Sequence, residues 1–245
     1  MKEKTEVYLI RHAVTALNQS GHFQGLSDIP LNEDGREQAI HLRNRFVQEG
    51  TKLDHIYVSR LVRTQQTIQP LAETLGLEPQ VKEGLHEVDG GLMEGRHNSD
   101  NVRDYPEVMD TLMRNPFFAQ MPNGESGREV YDRVVAAFLD ICRTNSGKTV
   151  AVVTHGFALQ MLSSFLEAKA PEDTKRLICA NTGVSHLYYS EGKIEIDYLY
   201  DSSHLPAKWS ESNENRGTQA YFAYLKEKEN SAQTAVGKQE QGKRA

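Results

Sequence analysis

The chain has 245 residues, a formal net charge of −6 and a pI near 5.9. That is length enough for a full core, and the wrong sign for gripping nucleic acid or an anionic membrane surface. No apolar run approaches the length of a membrane span, and the mostly charged residues Met1 to Glu6 lead straight into an apolar stretch, so no secretory leader is expected. Cys142 and Cys179 sit among apolar neighbours without metal-ligand spacing, and read as buried thiols in a reducing cytoplasm rather than a disulfide.

In chain order, Val7-Tyr8-Leu9-Ile10 is an unbroken strand-favouring run, as in a strand buried on both faces, and it stops at Arg11-His12. Open α/β sheets bind ligands just beyond the carboxyl ends of their strands, which is where these two residues fall. A lone Arg-His pair would equally suit a polar surface loop. Thr15 and Asn18 follow, and Gln24 to Leu31 reads as a structured loop. Asn32 is placed to cap a helix running through Gly50, with Ala39, Ile40, Phe46, Val47 and the stem of Arg43 on one stripe.

A short strand is predicted at His55–Val58, then a helix capped by Ser59 that carries Leu61, Ile68, Leu71, Ala72 and Leu75 and is closed by Gly76. Arg60 and Arg63 fall in its first turn, against the helix dipole. Either an anion at the strand end or a solvated surface pair accounts for them. Glu87 and Glu94 lie in an acidic, glycine-rich loop. Arg96 to Pro122 is irregular, with one weak helix around Val102–Arg114, and suits a flap over a site. Ser126 and Glu129 form a capping-box pattern that opens a strong amphipathic helix.

The opening pattern then recurs. Val150 to Thr154 reads as a buried strand, and it ends in His155-Gly156 ahead of a helix from Phe157 to about Ala168. Thr182–Tyr189 and Lys193–Tyr200 form a hairpin at the sheet edge. Trp209 is placed to cover an edge or a pocket. The expected architecture is α/β: a mainly parallel central sheet with helices on both faces and an edge hairpin. Residues 1–225 form one domain with an inserted cover at 96–121, and 226–245 form a charged tail too poor in apolar residues to order itself.

Arg11, His12, Arg63 and His155 gather at predicted strand ends, with Glu87 in a nearby loop. Several cations around one point inside an acidic protein suit a dianion, and arginine holds phosphate bidentately. A neutral imidazole can attack phosphorus and a carboxylic acid can protonate the leaving oxygen. No HExxH or comparable cluster points to a metal.

Arg11-His12-Ala13-Val14-Thr15 with Asn18 resembles the Arg-His-Gly signature of the histidine phosphatase superfamily, the phosphoglycerate mutase-like proteins. Gln24-Gly25 with Asp28-Ile29-Pro30-Leu31 and Gly35, Ser59-x-Leu61-x-Arg63, Glu87 with Gly91 and Glu94-Gly95, Pro122-x-Gly124-Glu125-Ser126 and Val153-Thr154-His155-Gly156 resemble its further motifs, in order, between about Thr5 and Leu205. The resemblance implies a phosphoglycerate mutase-like fold and a phosphohistidine intermediate on His12. It implies Arg11, Arg63 and His155 as ligands of the phosphoryl group, with Asn18 and Gly156, and Glu87 as proton donor. Thr15, Gln24 and Gly25 would touch substrate, and neither metal nor other cofactor would be needed.

Two departures stand out. Ala13 occupies the usual glycine position, which is tolerable only at negative φ, and Leu17 stands where mutases carry Trp. With a cover segment short for a mutase, these favour a phosphatase acting on a small phosphorylated metabolite. A mutase and a non-catalytic phospho-ligand module are the alternatives. Arg96, His97, Arg103 and Tyr105 are candidates for recognising the leaving group. His22 and His97 lie in loops that could approach it, and the other histidines read as surface or structural. The oligomeric state has no signature in the sequence.

Overall fold

The computed structural model describes residues 3–177 and 179–210, with 221, 223 and 226. Apart from Lys226, the expected tail at 226–245 lies outside the described residues. The chain opens with β1 (Thr5–Arg11), a short α1 (Ala16–Ser20) and α2 (Glu33–Gln48). β2 (His55–Val58) leads to α3 (Val62–Leu75) and the two-residue β3 (Gln80–Val81). A 3-10 turn at Gly91–Met93 precedes α4 (Asn98–Asp104) and α5 (Pro106–Arg114). Another at Pro116–Phe118 precedes α6 (Gly127–Thr144), β4 (Thr149–Thr154) and α7 (Gly156–Leu166). β5 (Val184–Ser190) and β6 (Lys193–Asp201) form a hairpin before α8 (Ala207–Ser210).

The strands make one sheet in the order β3-β2-β4-β1-β5-β6. The first four run parallel; β5 lies antiparallel against β1, and β6 closes the edge. Alternation along the strands feeds two cores. Val7, Leu9, Val150 and Val152 pack with Phe138 of α6 and Leu159 of α7. Tyr8, Ile10, Ala151 and Val153 pack with Leu42 and Phe46 of α2 and Ile68 and Leu71 of α3. Both faces of the central strands are covered, which is why their sequence shows continuous apolar runs. A third cluster, including Val88, Val102, Met109 and Met121, joins the 96–121 segment to α6 through Val130 and to α7 through Met161.

Several local expectations shift. The inward stripe of α2 is Gly35, Gln38, Ala39, Leu42, Arg45 and Phe46, while Ile40 and Val47 are exposed. Tertiary contacts set this face: a Cβ on Gly35 would lie 2.1 Å from the Val14 carbonyl oxygen, and Arg45 is buried against Glu49, Asp201 and Tyr198. The cap of α3 is Leu61 rather than Ser59; the Ser59 hydroxyl accepts the Leu61 N–H ahead of the helix and meets the His155 ring. The weak helix at 102–114 is two helices, broken where Pro106 pushes Tyr105 out of helical geometry (φ −129°, ψ 53°). The capping box at Ser126/Glu129 forms as expected. Trp209 is buried near His41 of α2, ring centroids 5.8 Å apart, and so covers a helix rather than the cavity described next. Both cysteines are free and buried.

Candidate active site

Three parallel strands end level, and that register assembles the site. Arg11 pairs with Thr154, and Val58 with Val153. His12 donates its backbone N–H to the Thr154 carbonyl (2.9 Å), and Ser59 to that of Val153 (3.2 Å). His12, Ser59 and His155 thus stand side by side just past the sheet.

His12 is 2 % exposed. Its Nδ1 lies 2.7 Å from the Ala13 carbonyl oxygen, which can only accept, so Nδ1 carries the proton and Nε2 keeps its lone pair. The loop is held from two sides. Asn181 Nδ2 donates to the His12 carbonyl (2.8 Å). Ala13 N donates to Thr67 Oγ1 (2.8 Å), which in turn donates to the Arg63 carbonyl (2.6 Å). Ala13 has a negative φ and is fully buried, so its methyl imposes no backbone strain. Burial, then the nearby Arg63 and Arg11 guanidiniums, push the His12 imidazole well below its ordinary pKa. It is neutral at pH 7.

Arg63 is fully buried. It donates from Nη2 to Gly25 O (2.8 Å), from Nη1 to Ser27 O (2.9 Å) and from Nε to His155 Nδ1 (3.1 Å). Guanidinium cannot accept, so His155 Nδ1 holds a lone pair, and its Nε2–H donates to Ser59 Oγ (2.8 Å). That neutral tautomer agrees with the strong downward push on His155 from burial and Arg63. Burial lowers Arg63 itself to about 10, with Glu87, Asp28 and Glu94 pulling the other way, and it remains a cation at neutral pH. His155 and Ser59 therefore fix the plane of the Arg63 guanidinium. Gly25 supplies a carbonyl at φ +52°, a conformation that disfavours any other residue.

A cavity of about 180 Å³ opens beside these residues. Arg11, His12, Asn18, Gln24, Gly25, Glu87 and Gly156 line it. His155 and Arg63 lie behind its wall, and Thr15 is buried as the cap of α1, bonded to Asn18 and Gln24. The Arg11 guanidinium lies over Gly156, where a built Cβ would meet it at 3.4–3.5 Å. Its Nη1 donates to the Cys179 carbonyl, and its buried Nε has no hydrogen-bond partner among the described residues. Phe23, Met109, Leu112, Met113, Phe157 and Leu177 line the cavity as well, with the polar His22, Asn98, Gln160 and Arg176 among them.

The two glutamates separate clearly. Glu87 lies on the cavity wall, and its oxygens accept backbone N–H groups from Val88 (3.0 Å), Phe157 (3.0 Å) and Ala158 (3.1 Å), capping α7 in place of a local residue. Glu94 instead takes the N–H of Leu26 (2.7 Å) and Gly90 (3.0 Å) and the Ser27 hydroxyl (3.0 Å), bracing the loop that carries the carbonyls of Gly25 and Ser27.

Of the other candidates, His22 lines the cavity and meets His97 edge-on, with ring centroids 5.2 Å apart. Arg96 pairs with Asp104, and Arg103 with Asp100 and Asp104, and neither they nor Tyr105 line the cavity. The added cation is Arg176, whose Nη1 lies 3.1 Å from Met113 Sδ and which is lowered first by burial and then by Arg11. It follows a loop with no sequence signal beyond Lys175-Arg176, which reads as solvated. Gln160 also lines the cavity; its signal in the sequence was a long polar side chain between Leu159 and Met161, in a helix whose other polar side chains are only Ser163 and Ser164. Among the described residues no group of three His, Cys, Asp or Glu side chains could hold a metal ion, and no helix is long and apolar enough to cross a membrane.

A family model described as the histidine phosphatase superfamily (branch 1) matches residues 7–202. A protein of Enterobacter sp. (strain 638) named probable phosphoglycerate mutase GpmB is 34 % identical over 208 residues, covering 82 % of this chain and 95 % of its own. The structure of Bacillus stearothermophilus YhfR superposes with a TM-score of 0.76 at 27 % identity, covering 82 % of this chain and 98 % of that one. A phosphoserine phosphatase of Entamoeba histolytica, solved with phosphoserine, superposes with a TM-score of 0.71 at 25 % identity, over 82 % of this chain and all of that one.

Proposed function

The chain belongs to the histidine phosphatase superfamily, as a phosphoric monoester hydrolase, and we propose that it hydrolyses a small phosphorylated metabolite through a covalent phosphohistidine on His12. The observation that carries this is the His12 ring itself: its Nδ1 proton is fixed by the Ala13 carbonyl, its Nε2 lone pair is free, and burial with the Arg63 and Arg11 charges keeps it neutral. Nε2 attacks phosphorus while Arg11 and the start of α7 at Gly156 take the charge on the equatorial oxygens, and the buried Arg63 cation behind the wall adds its positive field. His155 acts by holding Arg63. Protonated Glu87 gives its proton to the leaving oxygen as the P–O bond breaks. The carboxylate left behind is the species its three N–H partners hold, and it takes a proton from the water that then attacks phosphohistidine.

The 96–121 segment is assigned as the cover, since Met109, Leu112 and Met113 of α5 form one wall of the cavity. In the test, rapid quenching during turnover of p-nitrophenyl phosphate traps an acid-labile phosphoprotein, and mapping places the group on His12. His12→Ala abolishes both label and turnover. Label on serine, or turnover in the variant, overturns the mechanism. The mutase reading is favoured by the name that several relatives carry, probable phosphoglycerate mutase, at 32–34 % identity. It requires interconversion of 3- and 2-phosphoglycerate, primed by a bisphosphate, to outrun phosphate release.

A further inference from the structure

α7 is buried on nearly all sides; one turn of it runs Phe157, Ala158, Leu159, Gln160, Met161. Gln160 is 6 % exposed and lines the cavity, and its amide Nε2 has no hydrogen-bond partner among the described residues. An unsatisfied buried N–H is a standing cost to the folded chain, and native structures rarely keep one without a use. Met109, Met113, Phe157 and Leu177 line the same cavity with side chains that carry no oxygen, and Arg176, which lines it too, is a donor and not an acceptor. Gly156, at the phosphate end, lies one helical turn earlier, about 6 Å along the axis.

We infer that Gln160 selects the leaving group. The substrate is a phosphomonoester of a largely apolar alcohol that carries one hydrogen-bond acceptor oxygen, about one helical turn from the phosphorus. The apolar wall takes the body of the alcohol, and Gln160 Nε2 donates to that oxygen. A site with a buried polar group discriminates strongly against a ligand that leaves it unpaired. The inference rests on the hydrolytic reading above and narrows its substrate class.

The test moves one oxygen along a chain of constant length. The probes are n-hexyl phosphate and its ether isosteres 2-propoxyethyl, 3-ethoxypropyl and 4-methoxybutyl phosphate, with kcat/KM measured for wild type and Gln160→Met. In wild type, 3-ethoxypropyl or 4-methoxybutyl phosphate is preferred over the 2-propoxyethyl ester by roughly tenfold, the usual worth of one hydrogen bond in a dry site. In Gln160→Met the ether profile flattens to within about twofold. Comparing variant with wild type on the same esters cancels differences in leaving-group basicity. A second readout needs no substrate: exchanging an unpaired buried amide for an isosteric thioether raises Tm. A flat profile in a wild type that turns over every ester refutes the role of Gln160 and leaves the hydrolase intact. A Tm that falls by several degrees makes Gln160 a fold-supporting residue and refutes it as well. No phosphate from any ester refutes both readings.

Discussion

Glu87→Gln looks like a conservative removal of a proton donor, but the structure makes it something more. Both Glu87 oxygens accept backbone N–H groups: Oε2 that of Phe157, Oε1 those of Val88 and Ala158. A glutamine has one oxygen, so its NH2 must face at least one backbone N–H. One charge-assisted bond, about 1.5–3 kcal/mol, is lost and a donor at the start of α7 goes unpaired. In a chain of this length about 1 kcal/mol shifts Tm by roughly 2–4 °C, so the variant should melt about 4–10 °C below wild type. Glu94→Gln is the built-in control. Its second oxygen meets the Ser27 hydroxyl, which can reverse and accept from the new NH2, so its Tm should move far less.

Activity separates the acid role from this capping role. Loss of a positioned acid costs roughly 10²–10⁴-fold on alkyl phosphates and much less on p-nitrophenyl phosphate, whose leaving group departs unaided. The comparison pairs thermal melts of both variants with burst-phase phosphoenzyme formation on both ester types. If Glu87→Gln melts with wild type, the N–H contacts are not what holds α7. If it slows both esters equally, Glu87 is not the acid.

Gly25→Ala places a methyl 2.2 Å from Glu94 Oε1 at φ +52°. It should cost at least the roughly 1–2 kcal/mol of a left-handed L-residue and raise KM by shifting the carbonyl that orients Arg63, and an unchanged KM would refute that coupling. Arg63→Lys can replace at most one direction of a three-way anchor. A fall in kcat/KM of roughly 10²–10³-fold is expected, as for loss of a fixed oxyanion donor, and full activity would mean that a point charge suffices. His12 and His155 are depressed in the folded state, so below about pH 6.5 the unfolded chain binds more protons than the folded one. Stability therefore holds above pH 6.5 and falls on acidification, by up to about 1.4 kcal/mol per pH unit for each histidine. His204, lowered to about 4, adds to the loss between about pH 6.5 and 4. Urea midpoints at pH 7, 6 and 5 measure it, and a midpoint rising on acidification would contradict both tautomer assignments.

What the sequence determined by itself was local or covalently close. Runs such as Val7–Ile10 and Val150–Val153 are apolar on both faces because helices cover both sides, so strand, sheet class and strand-end position of His12 and His155 were readable from residue type. Capping chemistry at Asn32 and Ser126 acts within four residues and was equally readable. The tertiary structure decided whatever depends on which distant groups meet. Arg63 points inward because carbonyls of the Gly25–Ser27 loop and the His155 ring stand ready to accept its donors, an arrangement set by the β2-β4-β1 register and not by the turn it sits in. Glu87 and Glu94 are indistinguishable as neighbours in an acidic loop. Their roles part only because one reaches the start of α7 and the other reaches Leu26 and Ser27. The buried face of α2 turned on Gly35, where any Cβ would collide with Val14 O, and the cavity came to include Arg176 and Gln160, because packing across the fold outweighs the average polarity of a residue type.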